Sequence, residues 1–113
     1  MDNTNYENKI KSMIESSDIV LFMKGSPDFP QCGFSANVVG ILNYFNLKFE
    51  SFNVLEDNEL REGIKKFSNW PTVPQIYIKQ EFIGGCDILR EIAENNEFEK
   101  LLKDKKIEYS INA

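Results

Sequence analysis

Ile19-Val20-Leu21-Phe22-Met23 runs directly into Lys24-Gly25-Ser26-Pro27-Asp28-Phe29-Pro30-Gln31-Cys32-Gly33-Phe34-Ser35, and then into a helical pattern from Ala36 to Phe45. The first five residues form an unbroken apolar run rich in branched and aromatic side chains, as expected of a central strand buried on both faces. Gly25, Pro27 and Pro30 forbid regular structure in the next stretch. The order is therefore strand, loop, helix, with Cys32 arriving where the helix begins. The first N–H groups of a helix lack internal partners, and the helix dipole adds positive potential there. Both favour a thiolate over a thiol, and Lys24 acts in the same direction. A free cysteine taken alone is more often a small buried hydrophobe. Here the turn-rich loop, the helix start and the nearby cation point together to a reactive thiol.

Working outward, Thr4 and Glu7 have the spacing of a capping box, and Ile10, Met13 and Ile14 give a helical stripe ended by Ser16-Ser17-Asp18. After the loop, Ala36, Val39, Leu42, Asn43 and Phe45 carry a helix, with Asn46 as its stop. Lys48 to Val54 alternates and reads as a second strand. Asp57 or Asn58 caps a third helix with a Leu60, Ile64 and Phe67 stripe, and Trp70-Pro71-Thr72-Val73-Pro74 breaks the chain again. Gln75 to Lys79, a turn at Gln80-Glu81 and Phe82-Ile83 read as a hairpin that lacks the usual Asn-Gly. Gly84-Gly85 ends it. Cys86-Asp87 opens a fourth helix with Ile88, Leu89 and Ile92 inward, and Phe98, Leu101 and Leu102 mark a fifth. The fold class is α/β, a small four-stranded mixed sheet flanked by helices, with a right-handed parallel crossover from Ile19 to Val54.

The 113 residues suffice for one domain with one core. The domain is expected to occupy 1–113 with its core over about 10–102, leaving 103–113 as a charged, frayed tail. A net charge of −5 argues against a broad nucleic-acid footprint. No apolar run approaches the roughly 20 residues of a membrane span, so no membrane role is expected. The N-terminal residues carry neither a signal-peptide core nor a basic amphipathic leader, so a cytoplasmic location is the expectation. Histidine is absent, which removes Cys–His nucleophile pairs and histidine metal ligands. The two cysteines, Cys32 and Cys86, cannot by themselves make a four-cysteine metal site. Where a CxxC redox pair would place its second thiol, this chain has Ser35.

Met23-Lys24-Gly25, Cys32-Gly33-Phe34-Ser35, Trp70-Pro71-Thr72-Val73-Pro74-Gln75 and Gly84-Gly85-Cys86-Asp87 occur in this order over a stretch reaching from Ile10 to Leu102. Together they resemble the monothiol glutaredoxins of the CGFS class, in the single-domain form. The resemblance implies a thioredoxin fold, glutathione as a ligand, and a homodimer holding a [2Fe-2S] cluster. It implies a glutathione groove made by Lys24, Cys32, Phe34, Arg61, Thr72, Val73, Pro74, Gly85, Cys86 and Asp87. It implies Cys32 as both the catalytic thiol and the metal ligand, and a cis bond between Val73 and Pro74. The partners it implies are iron-sulfur acceptor or assembly proteins.

The residue chemistry agrees with such a ligand. Glutathione carries two carboxylates, an ammonium and a thiol. Lys24 and Arg61 suit a carboxylate, Asp87 suits the ammonium, and the N–H groups opening the helix at Cys86-Asp87 suit the other carboxylate. Val73 before Pro74 offers a backbone edge to an extended peptide. Each residue alone has an ordinary structural reading; the set gains weight because its charges complement one molecule. Two functions follow. One is cluster binding and transfer, with two chains and two glutathiones supplying four thiolates. The other is a glutathione-dependent disulfide oxidoreductase working through one thiol, with weak activity at most. A lesser option is a sensor using a Cys32–Cys86 disulfide.

Overall fold

The computed structural model describes residues 3–111, with side chains from Tyr6 onward. The expected Thr4–Glu7 capping box rests on a side chain outside that range; the backbone there is already helical, in α1 (Asn3–Glu15). Strand β1 (Ile19–Met23) is buried at every position. A strand with no polar face must be covered on both sides, and successive side chains point to opposite faces. Ile19, Leu21 and Met23 enter one core, and Val20 and Phe22 enter a second.

Helix α2 (Gly33–Tyr44) and β2 (Glu50–Asn53) follow, and β2 pairs parallel to β1. Helix α3 (Asn58–Ser68) leads to the hairpin of β3 (Gln75–Ile78) and β4 (Glu81–Gly84). Helices α4 (Cys86–Glu94) and α5 (Glu97–Asp104) complete the order. The sheet runs β2-β1-β3-β4, with β3 antiparallel to both of its neighbours. Val38, Val39 and Leu42 of α2, Leu89 of α4, and Phe98 and Leu102 of α5 fill the first core. Ile10 and Ile14 of α1 and Leu60 and Ile64 of α3 fill the second. There Phe22 stacks on its cross-strand partner Phe52 at 5.6 Å and meets Tyr77 edge-on at 5.8 Å. This is a thioredoxin-like fold.

Several local expectations shift. The buried face of α2 is Ser35, Val38, Val39 and Leu42, and Ala36 faces outward. Asp57 is the cap of α3, accepting a hydrogen bond from the Leu60 N–H at 3.2 Å. The hairpin turn is Lys79-Gln80, one residue earlier than expected, and both residues have positive φ. A two-residue turn of this hand matches strand twist and normally takes Asn-Gly. Here the Lys79 N–H donates to the Asp18 carbonyl at 2.7 Å, and its ammonium meets the Asp18 carboxylate at 3.2 Å. These tertiary contacts hold a turn that local chemistry does not favour. The tail expected to fray instead folds back as far as Ser110. Its N–H donates to the Phe45 carbonyl at 3.2 Å, the Asn46 amide donates to the Ser110 carbonyl at 2.8 Å, and the Tyr109 ring lies edge-on to Phe45.

The loop between β1 and α2 is a small closed structure. Gln31 N–H donates to the Lys24 carbonyl at 2.9 Å, and Ser26 and Phe29 exchange backbone hydrogen bonds. Gly25 sits at φ +91°, where a Cβ would lie 2.5 Å from the Phe29 carbonyl oxygen. Gly25→Ala should therefore destabilise the protein by about 1–3 kcal/mol or more, from left-handed strain plus that clash. Gly40, in α2 with open space around it, is the contrast. Gly40→Ala should stabilise by about 0.5–1 kcal/mol, because it only removes unfolded-state freedom. Urea unfolding of both variants checks the pair, and equal midpoints would contradict this account.

Candidate functional site

Cys32 is the N-cap of α2, with extended backbone at φ −153° and ψ 154°. Its sulfur accepts a hydrogen bond from the Ser35 N–H at 3.3 Å. The Ser35 hydroxyl also lies 3.3 Å from the sulfur, and it accepts from the Lys24 N–H at 3.1 Å. Ser35 is fully buried, so its orientation is held by these partners. The hydroxyl hydrogen can therefore turn to the sulfur when the thiol ionises. Partial burial pushes the Cys32 thiol up. The hydrogen bonds from the Ser35 hydroxyl, the Ser35 N–H and the Phe34 N–H outweigh it, and the Lys24 charge adds to them. The net result is a thiol held below its ordinary value. Cys32 is partly exposed, whereas Cys86 is buried in the first core.

Beside this thiol lies a cleft of about 340 Å³. All the other residues expected to bind glutathione line it: Lys24, Phe34, Arg61, Thr72, Val73, Pro74, Gly85, Cys86 and Asp87. Cys32 is absent from the lining, and reaches the cleft through the helix it caps, whose Phe34 forms part of the wall. Lys24 comes from the end of β1, Arg61 from α3 and Asp87 from α4. The Val73–Pro74 bond is cis, as the resemblance implies. The Val73 side chain is buried, while its N–H and C=O make no hydrogen bond to other described residues. A free backbone edge therefore borders the cleft. The preceding loop is clamped from below by fully buried Gln75, whose amide donates to the Thr72 carbonyl at 3.2 Å and the Trp70 carbonyl at 3.4 Å. The Tyr77 hydroxyl donates to the Gln75 amide oxygen at 3.4 Å, and burial pushes that phenol up to about 12, which keeps its proton in place.

Helix α4 opens on Gly85, which has no side chain to cap its first N–H groups. A Cβ at Gly85 would lie 3.1 Å from the Pro74 carbonyl, so glycine permits the close approach of α4 to the Pro74 loop. Uncapped helix N–H groups beside a cleft suit an anion. Four lining residues were not expected as ligands: Lys65, Trp70, Pro71 and Ile88. Lys65 had a legible signal, since it follows Arg61 by four residues and so shares its helix face. Among the described residues, no three His, Cys, Asp or Glu side chains come together as a metal group.

Fold and site define a class: a thioredoxin-fold protein with one activated cysteine, whose would-be second thiol is a buried serine. The Glutaredoxin family model matches residues 19–83, and the chain belongs to that family. It is 54% identical over 104 residues to the mitochondrial monothiol glutaredoxin-5 of Lachancea kluyveri, covering 89% of this chain and 73% of that protein. It is 51% identical to a probable monothiol glutaredoxin 2 of Rickettsia typhi, covering 93% and 94%. The solution structure of reduced poplar apo GrxS14 superposes with a TM-score of 0.81 at 46% identity, covering 94% of this chain and 98% of that one. The chain is accordingly of the monothiol kind.

Ser35→Ala should slow alkylation of Cys32 at mildly acidic pH several-fold, because the thiolate loses a hydrogen bond. It should also cost about 1–3 kcal/mol of stability by leaving the Lys24 N–H unpaired. Iodoacetamide labelling read by peptide mass spectrometry checks the first, and Cys86 should label more slowly than Cys32 throughout. The thiol interaction has a defined pH sign. A depressed folded value contributes its full stability above the unfolded thiol's value of about 8.5, and the contribution is lost progressively as pH falls from there through the folded value. The stability gap between wild type and Cys32→Ser should therefore move in favour of wild type from pH 6 to pH 9.5, as measured by urea unfolding.

Proposed function

We propose that this chain binds glutathione in the cleft and, as a pair of chains, carries a [2Fe-2S] cluster as cargo for acceptor or assembly proteins. The observation that carries the reading is the charge layout of one cleft beside one activated thiol. Lys24, Arg61 and Lys65 present cations to a carboxylate, the uncapped start of α4 presents N–H groups to the other, and Asp87 presents an anion to the ammonium. The Val73 backbone edge, which bonds to no other described residue, suits the extended tripeptide. The ligand's own thiol then lies on the side of Cys32.

The donor count sets the assembly. A [2Fe-2S] cluster takes four thiolates, and one chain offers one activated thiol because Cys86 is buried in the core. Two chains and two glutathiones make four. Half of these ligands are held without a covalent bond to protein, which favours release to an acceptor over storage. The chain's own residues supply binding and orientation: Ser35 and the α2 N-terminus hold Cys32 as thiolate, and the cleft fixes glutathione. The low thiol also supports a second reading, removal of glutathione from mixed disulfides. There the Cys32 thiolate attacks the glutathione sulfur and expels the protein thiolate, and a second glutathione then releases glutathione disulfide. Ser35 forbids resolution through an internal CxxC disulfide.

Lys24→Glu should weaken glutathione binding by about 1–3 kcal/mol, measured by calorimetry. Anaerobic reconstitution with iron, sulfide and glutathione, followed by size exclusion with visible absorbance, tests the assembly. Wild type and Cys86→Ser should give a coloured dimer that requires glutathione, and Cys32→Ser should stay a colourless monomer. A coloured Cys32→Ser protein, or a wild-type cluster indifferent to glutathione, would overturn the bridging model. High mixed-disulfide turnover without cluster formation would put the oxidoreductase first.

A further inference from the structure

Three cations line the cleft, and they are not equivalent. Lys24 and Arg61 form no ion pair with other described residues. The Lys65 ammonium is paired at 2.7 Å with the Glu62 carboxylate, one turn back on α3. Lys65 is mostly covered, with its side chain 28% exposed, whereas the Glu62 side chain is 54% exposed. Glu62 is not part of the cleft wall. The pair therefore joins a cleft cation to an anion outside it. The shortness of the contact is matched by its chemistry: the Lys65 hydrogen bond holds the Glu62 carboxyl below its ordinary range, and Arg61 and Lys66 beside it add to that effect. Glu62 is thus ionised at neutral pH and faces cations on its own helix.

We propose that Glu62 is an internal competitor for Lys65, lowering the affinity of the cleft for the ligand's carboxylate. The inference rests on the glutathione reading above and adds a regulator to that site. A carboxylate arriving at Lys65 meets an ammonium already engaged by another carboxylate. It must share the three donors of that ammonium or displace Glu62, and in either case it feels the repulsion of a second anion nearby. The consequence is a looser hold on glutathione. For a carrier whose cargo is held half by glutathione, a looser hold hastens release. Glu62 acts through Lys65 and is a positioning residue, not a ligand.

The test is a double-mutant cycle on the full chain, with reduced glutathione as the probe and calorimetry as the readout. Glu62→Gln should tighten binding by about two- to fivefold, the range expected for one exposed pair. In a Lys65→Met background, Glu62→Gln should change nothing. Glu59→Gln, which removes one negative charge from the first turn of the same helix, should also leave the affinity unchanged. Thermal unfolding separates a fold effect from a site effect, and Glu62→Gln should leave the midpoint near that of wild type. Equal affinities for wild type and Glu62→Gln would overturn the inference. So would a tightening that persists without Lys65, or that Glu59→Gln reproduces, since either would make it a general charge effect. A wild type that binds no glutathione overturns the glutathione reading, and this inference with it. A wild type that binds normally while Glu62→Gln gains nothing overturns this inference alone.

Discussion

A single buried hydroxyl joins the end of the central strand to the start of the reactive helix. Ser35 accepts from the Lys24 N–H at 3.1 Å and lies 3.3 Å from the Cys32 sulfur. The strand it ties down is buried at every position, so the sulfur is referenced to the core and not to the surface loop. The loop can then be short, closed and glycine-dependent without carrying the burden of positioning. The same hydroxyl stands where a second thiol would allow an internal disulfide. One residue therefore orients the thiol, lowers its proton affinity and excludes dithiol chemistry.

The second constraint is the two-sided sheet. Because β1 buries both faces, helices must lie on both, and the starts of α2 and α4 and one face of α3 converge with the Pro74 loop around one cleft. Gln75 shows how the fold supports that convergence. A fully buried amide is costly unless bonded, and this one is bonded to the carbonyls of Trp70 and Thr72 and receives the Tyr77 hydroxyl. Its hydrogen bonds shape the loop that leaves the Val73 backbone edge free. The polar cost inside the core is thus offset by bonds that build the binding surface.

The charge arrangement also distinguishes roles among like residues. Lys24 acts on the Cys32 thiol, Arg61 forms no ion pair with other described residues, and Lys65 is held by Glu62. Among the described residues, the ion-pair contact of Asp87 is a long one with Arg90 at 3.8 Å, and its side chain is 84% exposed, so it remains open to a cation. The monothiol relatives at about half identity place this chain in a family. How tightly this cleft holds a ligand is a matter of such local pairings, which family membership does not specify.

Much of this was legible in the chain because its cause is local. The apolar run of β1, the cap position of Cys32, the Asp57 cap and the Asn46 stop each depend on a few neighbouring residues and on backbone geometry. The ligand set is the one the family resemblance implies, supported by the complementary charges of Lys24, Arg61 and Asp87, and nine of its ten residues line one cleft. Other features were decided by contacts between distant parts. The hairpin turns at Lys79-Gln80 because Asp18 holds Lys79, and the tail folds back because Phe45 and Asn46 receive Tyr109 and Ser110. The place of Lys65 in the cleft and the double role of Ser35 depend on how helices dock against the sheet. Propensity and periodicity act over a few residues, and so they determined the elements and the activated thiol. Which side chains meet across the cleft depends on packing and strand register, which only the folded chain decides.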